Sequence, residues 1–225
     1  PFLNFLELRQ AAVTGPGGAG DVQVDRVRLY PDLRRLLRQE LVLRTVVLLR
    51  PVIDFPGGLP FRESRSEILS RIQDLLALPV DRLEIRQGQL TIQREWRIWS
   101  AKNLHLDLWR EKTGIRGDLQ IAEGVLHLSK EPLPWGPLQA TLALEEQDLV
   151  VTVGVSLESG ALGIAGRVRD VFRAPRLALD VGGQLPFPSI FPSPGTIQLA
   201  GQLTGSGEDP RFQGVAHLEG GPWPD

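Results

Sequence analysis

The sequence has no cysteine, no methionine and only three histidines. The missing cysteine excludes disulfide frameworks, thiolate metal sites and cysteine nucleophiles, while leaving the cellular compartment open. Lysine is confined to Lys102, Lys112 and Lys130, so arginine carries nearly all of the 25 basic charges. Those are set against 27 acids, for a net charge of −2 and a pI near 6.0, so no overall basic field recruits nucleic acid. Long apolar runs are also missing. The greasiest, Leu41 to Leu49, contains Arg44 and falls far short of the roughly 20 residues of a spanning helix. Neither G-x-x-x-x-G-K-[ST] nor G-x-S-x-G occurs. Gly15-Pro16-Gly17-Gly18-Ala19-Gly20 does spell G-x-G-x-x-G, but a dinucleotide site needs a helix to follow. Here Val22, Val24, Val27 and Leu29 instead mark a strand, so the glycines read as a loop. The chain opens Pro1-Phe2-Leu3-Asn4-Phe5, which reads as an internal piece of a longer chain whose signal or anchor would lie upstream.

What is present is a core-forming composition, 42% hydrophobic and 23% charged, with 24 glycines and 18 prolines to punctuate it. Two short helices are expected in the N-terminal third. Pro31 to Arg38 starts with proline at a first helical position and carries Leu33, Leu36 and Leu37 on one face, arginines on the other. Glu63 to Ala77 places Ile68, Leu69, Ile72, Leu75 and Leu76 on one stripe before Pro79 stops it. Everywhere else the period is two. Alternating runs cover Val22 to Leu29, Leu41 to Leu49, Leu83 to Ile85, Leu90 to Ile92, Leu104 to Leu108, Leu119 to Ile121 and Leu126 to Leu128. They continue through Leu138 to Leu144, Leu149 to Val155, Leu177 to Val181 and Ile197 to Leu203. Glu146-Gln147-Asp148, Ser159-Gly160, Gly182-Gly183 and Gly205-Ser206-Gly207 read as the turns between them. The expected fold is mainly β: antiparallel meanders with one apolar and one wet face.

A loose repeat, glycine then x-aliphatic-x-aliphatic, starts at Gly88, Gly117, Gly124 and Gly195, with weaker copies at Gly136 and Gly201. A glycine opening a strand would supply the positive φ of a tight turn. His105, His127 and His217 each sit on the polar side of an alternating run, too scattered to gather a metal. Glu145-Glu146-Gln147-Asp148 reads as a solvated hairpin tip, and Trp96, Trp99, Trp109, Trp135 and Trp223 as seals at strand edges and turns. No catalytic site or cofactor is expected. Between Arg26 and Arg50 seven arginines face only Asp32 and Glu40. The simple reading is a solvated face; the functional one is contact with anionic lipid headgroups, centred on Arg34, Arg35 and Arg38.

Two helices before residue 80 cannot cover the apolar side of so many strands. A second sheet, a closed barrel or a curled sheet holding an apolar guest would each satisfy the pattern. The segment from Val24 to Pro51, a strand, a "leucine-leucine" helix and a strand ending in an aliphatic-x-x-Pro step, resembles the membrane-proximal start of AsmA-like proteins. Leu83 to Ile92 resembles that superfamily's hairpin of strand, glycine and strand. Gly195 to Gly205, followed by Asp209-Pro210 and Gly214 to Leu218, is similar to TamB-type repeats.

The resemblance implies an elongated curved antiparallel β-sheet, open or taco-like, in which residues 1–78 form an N-terminal segment and residues 79–225 a glycine-punctuated meander. It implies a non-enzymatic periplasmic protein of a diderm bacterium, anchored in the inner membrane from outside this sequence. Its partners would be phospholipid acyl chains and outer-membrane assembly proteins, with no nucleic acid. On this reading the groove wall comprises Leu83, Ile85, Leu90, Ile92, Leu104, Leu106, Leu108, Leu119, Ile121, Leu142, Leu144, Val151, Val153, Leu177, Leu179, Ile197 and Leu199, and Arg34, Arg35 and Arg38 are membrane-proximal. The rival expectation is a structural or adhesive β-sandwich with a closed core, and a third is a hydrolase or glycan-binding domain using the tryptophans.

Overall fold

A computed structural model of the chain describes residues 5–14, 21–40, 42–55, 79–94, 97–127, 132–157, 160–171, 173–186, 195–206 and 209–220. Alternating β-branched and leucine-rich segments form twelve strands: β1 (Leu6–Thr14), β2 (Asp21–Pro31), β3 (Leu43–Phe55), β4 (Arg82–Arg94), β5 (Arg97–Arg110) and β6 (Gly114–His127), then β7 (Pro132–Glu145), β8 (Asp148–Leu157), β9 (Gly160–Arg169), β10 (Arg176–Pro186), β11 (Thr196–Ser206) and β12 (Pro210–Glu219). All belong to one sheet in strict sequence order, open at β1 and β12. Ten of its eleven pairings are antiparallel.

The exception corrects the all-antiparallel expectation: β3 and β4 run parallel, Val46 opposite Leu83 and Ile53 opposite Leu90. Parallel neighbours need a link of a dozen residues or more, and residues 56–81 are long enough to return the chain to the end at which β3 began. The strands before and after position 78 are therefore joined within one sheet through this pair.

The first expected helix is shorter than its leucine spacing suggested. Pro31 ends β2, paired with Leu43, and Asp32 is the helix cap, its Oδ1 accepting from the Arg34 amide at 2.9 Å and the Arg35 amide at 3.3 Å. Only Leu33–Leu36 is helical (α1), and its leucines are exposed instead of facing a core. The second expected helix, residues 63–77, lies outside the described residues.

The glycine repeat also receives a different explanation. Gly88 lies inside the continuous strand β4, not at a hairpin, and Gly117 and Gly124 lie inside β6. Gly136 and Gly201 are likewise internal, and Gly182-Gly183 is mid-β10 instead of a turn. At Gly117 and Gly124 the need is space. A methyl group at either would overlap the Leu108 side chain or the Trp135 indole across the ladder.

Along β1–β7 two residues, not one, separate a pair of successive inward positions. The flanking pairs are Leu8 and Ala11, Val24 and Val27, Leu48 and Pro51, Ile85 and Gly88, Ala101 and Leu104, Ile121 and Gly124, and Trp135 and Leu138. Positive φ at Gln10, Arg50, Gln87, Asn103 and Gly136 marks this seam of extra residues. It ends at β8, where Trp135 and Leu138 face Leu157 and Val155 across a single intervening residue. The best-buried cluster, Ile85, Ala101, Leu104 and Ile121, flanks the seam, with Leu48, Leu90, Leu106, Leu119, Trp135 and Leu138 packed on it. Extensive contacts among the described elements run only between neighbouring strands. Such burial without a second described layer comes from inward side chains of neighbouring strands crowding one another about the seam.

Candidate functional site: the inner face

The register gathers the inward residues into rows that cross the sheet. One row runs Leu6, Leu29, Val46, Leu83, Leu108, Gly117, Leu142, Val151, Gly166, Leu179, Leu203, Phe212. The next runs Leu8, Val27, Leu48, Ile85, Leu106, Leu119, Ala140, Val153, Ile164, Val181, Gly201, Gly214. A third passes from Ala11, Val24 and Pro51 by way of Gly88 to Leu104, Ile121, Leu138, Val155, Leu162, Gly183, Leu199 and Ala216. Not one of these positions carries a charge or a hydrogen-bonding side chain. At about 4.8 Å between strands, each row is roughly 50 Å long.

The remaining expected wall residues extend the same face. Leu90 lies opposite Ala101, Ile92 opposite Trp99, and Ile197 opposite Leu185. Leu144 opposes Leu149, and Leu177 opposes Val168. All seventeen therefore share one side of the sheet. Periodicity overlooked the contribution of β1–β3, where the seam shifts the alternation at Val24–Val27 and Leu48–Pro51. It also passed over β1 and β9; in β9, Gly160, Gly163 and Gly166 dilute the aliphatic pattern. Trp99 and Trp135 lie on this inner face as well, ring centroids 6.3 Å apart, so they belong to the apolar surface and not to an edge seal.

Exposure grades along the face. Leu104 and Ile121 are both 6% exposed, whereas every residue of β12 is exposed, Phe212 at 51%.

The opposite face is mostly polar, although Val47, opposite Arg28 and Glu84, is buried on it. Glu84, Asp107 and Asp118 lie side by side across β4–β6, and Arg82 bridges the first two, its Nε donating to Asp107 Oδ1 at 2.8 Å. Arg28 Nε donates to Glu7 Oε2 and Arg9 Nε to Glu7 Oε1, both at 3.0 Å, and these bonds hold the Glu7 carboxyl below its ordinary range. Trp109 Nε1 donates to Glu111 Oε1 at 3.4 Å. His105 and His217 are exposed and His127 half-buried, and no cluster of three or more potential metal ligands occurs among the described residues. Glu145 pairs with Asp148 about the turn that Glu146 makes at positive φ, as expected of a hairpin tip. An open depression of about 470 Å³ at the end of the seam is lined by Ser100, Lys102, Glu123, Trp135 and Leu157 among others.

No helix among the described residues is long and apolar enough to cross a membrane. Comparisons with family models, curated proteins and solved structures found no match to this chain.

Proposed function

We propose that the chain is a non-enzymatic, lipid-conducting segment of the AsmA/TamB type, whose inner face forms a groove for phospholipid acyl chains. The observation that carries the reading is the set of three uncharged rows that cross all twelve strands with no described layer over them, the inward-phase cations Arg97 and Arg110 standing at the two ends of β5. A closed sandwich would bury these aliphatics against a second sheet, and every described strand belongs to the first. Each methylene of an acyl chain laid on such a face gains up to about 0.8 kcal/mol relative to water, comparable with what it loses on leaving a bilayer. Near balance along the row suits passage better than capture in one pocket, and no convergent polar group interrupts it.

In this reading the protein works in the periplasm of a diderm bacterium, held to the inner membrane by an anchor outside this sequence. It serves phospholipid movement between the two membranes or outer-membrane assembly.

Native mass spectrometry after mild extraction tests the assignment. The expected spectrum contains the chain with phospholipid adducts. A lipid-free chain that also takes up no phospholipid on incubation ends the proposal.

A further inference from the structure

The turn between β2 and β3 leaves leucines and arginines together in water, and its Leu37 is the most exposed large hydrophobic residue among those described. Leu33 is 54% exposed, Leu36 46% and Leu37 87%, and α1 contains no buried residue. Arg34, Arg35 and Arg38 are interleaved with these leucines in sequence and are exposed too. Arg35 comes within 3.9 Å of Asp32, while Arg34 and Arg38 make no ion pair among the described residues. Asp32 itself is engaged in capping the helix. Three large apolar side chains in water at a one-turn helix gain nothing for the fold, and three adjacent cations at a tip repel one another. Both costs are relieved where an apolar layer lies beneath an anionic one.

We infer that residues 32–39 form a membrane-docking tip, Leu33, Leu36 and Leu37 entering the boundary between headgroups and acyl chains of an anionic bilayer while Arg34, Arg35 and Arg38 contact its phosphates. The occupant is a lipid surface because exposed leucines and cations lie together on a single turn. A soluble anion would engage the arginines and leave the leucines wet. Arginine stems also lie along apolar surface while their guanidinium heads stay among phosphates, which suits this interleaved order. The tip rises from the strand ends next to Leu29 of β2 and Leu43 of β3, so docking sets the β1–β3 end of the inner face against the membrane. The inference goes beyond the lipid-conducting reading and stands whether or not acyl chains occupy the inner face.

Vesicle co-sedimentation of the whole chain tests it. The probes are phosphatidylcholine vesicles containing one-third phosphatidylglycerol, and vesicles of phosphatidylcholine alone. The expected result is binding to the anionic vesicles that weakens with salt. Binding should fall by about fivefold for each arginine changed to glutamine at 34, 35 and 38. The combined Leu33→Ser, Leu36→Ser and Leu37→Ser variant should lose at least about tenfold. Since all six side chains are exposed, circular dichroism should match the parent. Absence of vesicle binding by the parent chain overturns the inference, as does undiminished binding by a folded serine variant. Phospholipid adducts read by native mass spectrometry should persist in the serine variant, whose tip no longer holds lipid, if they sit on the inner face. Their loss from the parent would count against the groove and not against the tip.

Discussion

Gly124 of β6 stands directly opposite Trp135 of β7, and the indole fills the space that a side chain at position 124 would need. The ring thereby lies over the seam and packs on the cluster of Ile85, Ala101, Leu104 and Ile121. The closest atoms to a built methyl group are Cε2, Cζ2 and Nε1 of the ring, so any side chain there displaces the tryptophan itself.

Gly124→Ala should therefore destabilise the chain by about 1–3 kcal/mol, the usual range for overpacking. Gly154→Ala is the contrasting case, since nothing lies within 4 Å of a methyl group there. It should be neutral or stabilising by about 0.5 kcal/mol, because alanine loses less backbone freedom than glycine on folding. Denaturant midpoints followed by tryptophan fluorescence separate the two. Equal midpoints for both variants would refute the packing role of Gly124.

Val151 and Val153 face inward on β8, and Thr152 between them faces outward, opposite Thr141 and Ala165. Both valines are half-buried. On an open face Val151→Glu or Val153→Glu can turn a carboxylate toward water, so each should cost about 1–2 kcal/mol and leave a cooperative unfolding transition. In a closed core the same charge would abolish folding. Photocrosslinking to a labelled phospholipid should be lost in both glutamate variants and kept in Thr152→Glu. Unfolding of the inward variants, with the outward one intact, would point to a sealed interior.

Glu7 ties the edge strand β1 to β2 through Arg28 and to its own strand through Arg9. Its carboxyl is held low in the folded chain by those hydrogen bonds, Arg28 first. The stabilisation is thus fully present above the carboxylate range of the unfolded chain and is lost as pH falls through the lower folded value. Protection factors of β1 amides, corrected for the intrinsic pH dependence of exchange, should fall on acidification toward those of a Glu7→Gln variant, whose β1 is already loosened at neutral pH. Identical β1 protection in parent and variant at every pH would show that the contact contributes nothing.

Much of this arrangement was legible along the chain. Alternation at Leu104 to Leu108, Leu138 to Leu144 and Leu149 to Val155 specified strands and assigned each residue a side, because successive side chains on a pleated strand point oppositely. Glu146 and Gly160 marked turns correctly. Gly88 and Gly183 were misleading: glycine in a strand serves a bulge or a crowded face as readily as a turn, and only the neighbouring strand tells which. The seam was present as apolar-x-x-apolar steps, among them Leu48 to Pro51 and Ala101 to Leu104. Within one strand such a step looks like lost alternation. It becomes a structural feature when seven strands place it in register.

By itself, then, the sequence determined that the chain makes strands, which residues lie on their apolar side, and that no thiol chemistry is available to it. Those properties depend on local periodicity and composition. Tertiary structure decided that β3 and β4 pair in parallel, that the apolar sides of twelve strands join into one curved face, and that Leu33, Leu36 and Leu37 stay in solvent. Each of these depends on which distant backbone supplies the next hydrogen-bonding edge, and a one-dimensional pattern of side chains carries no record of that choice.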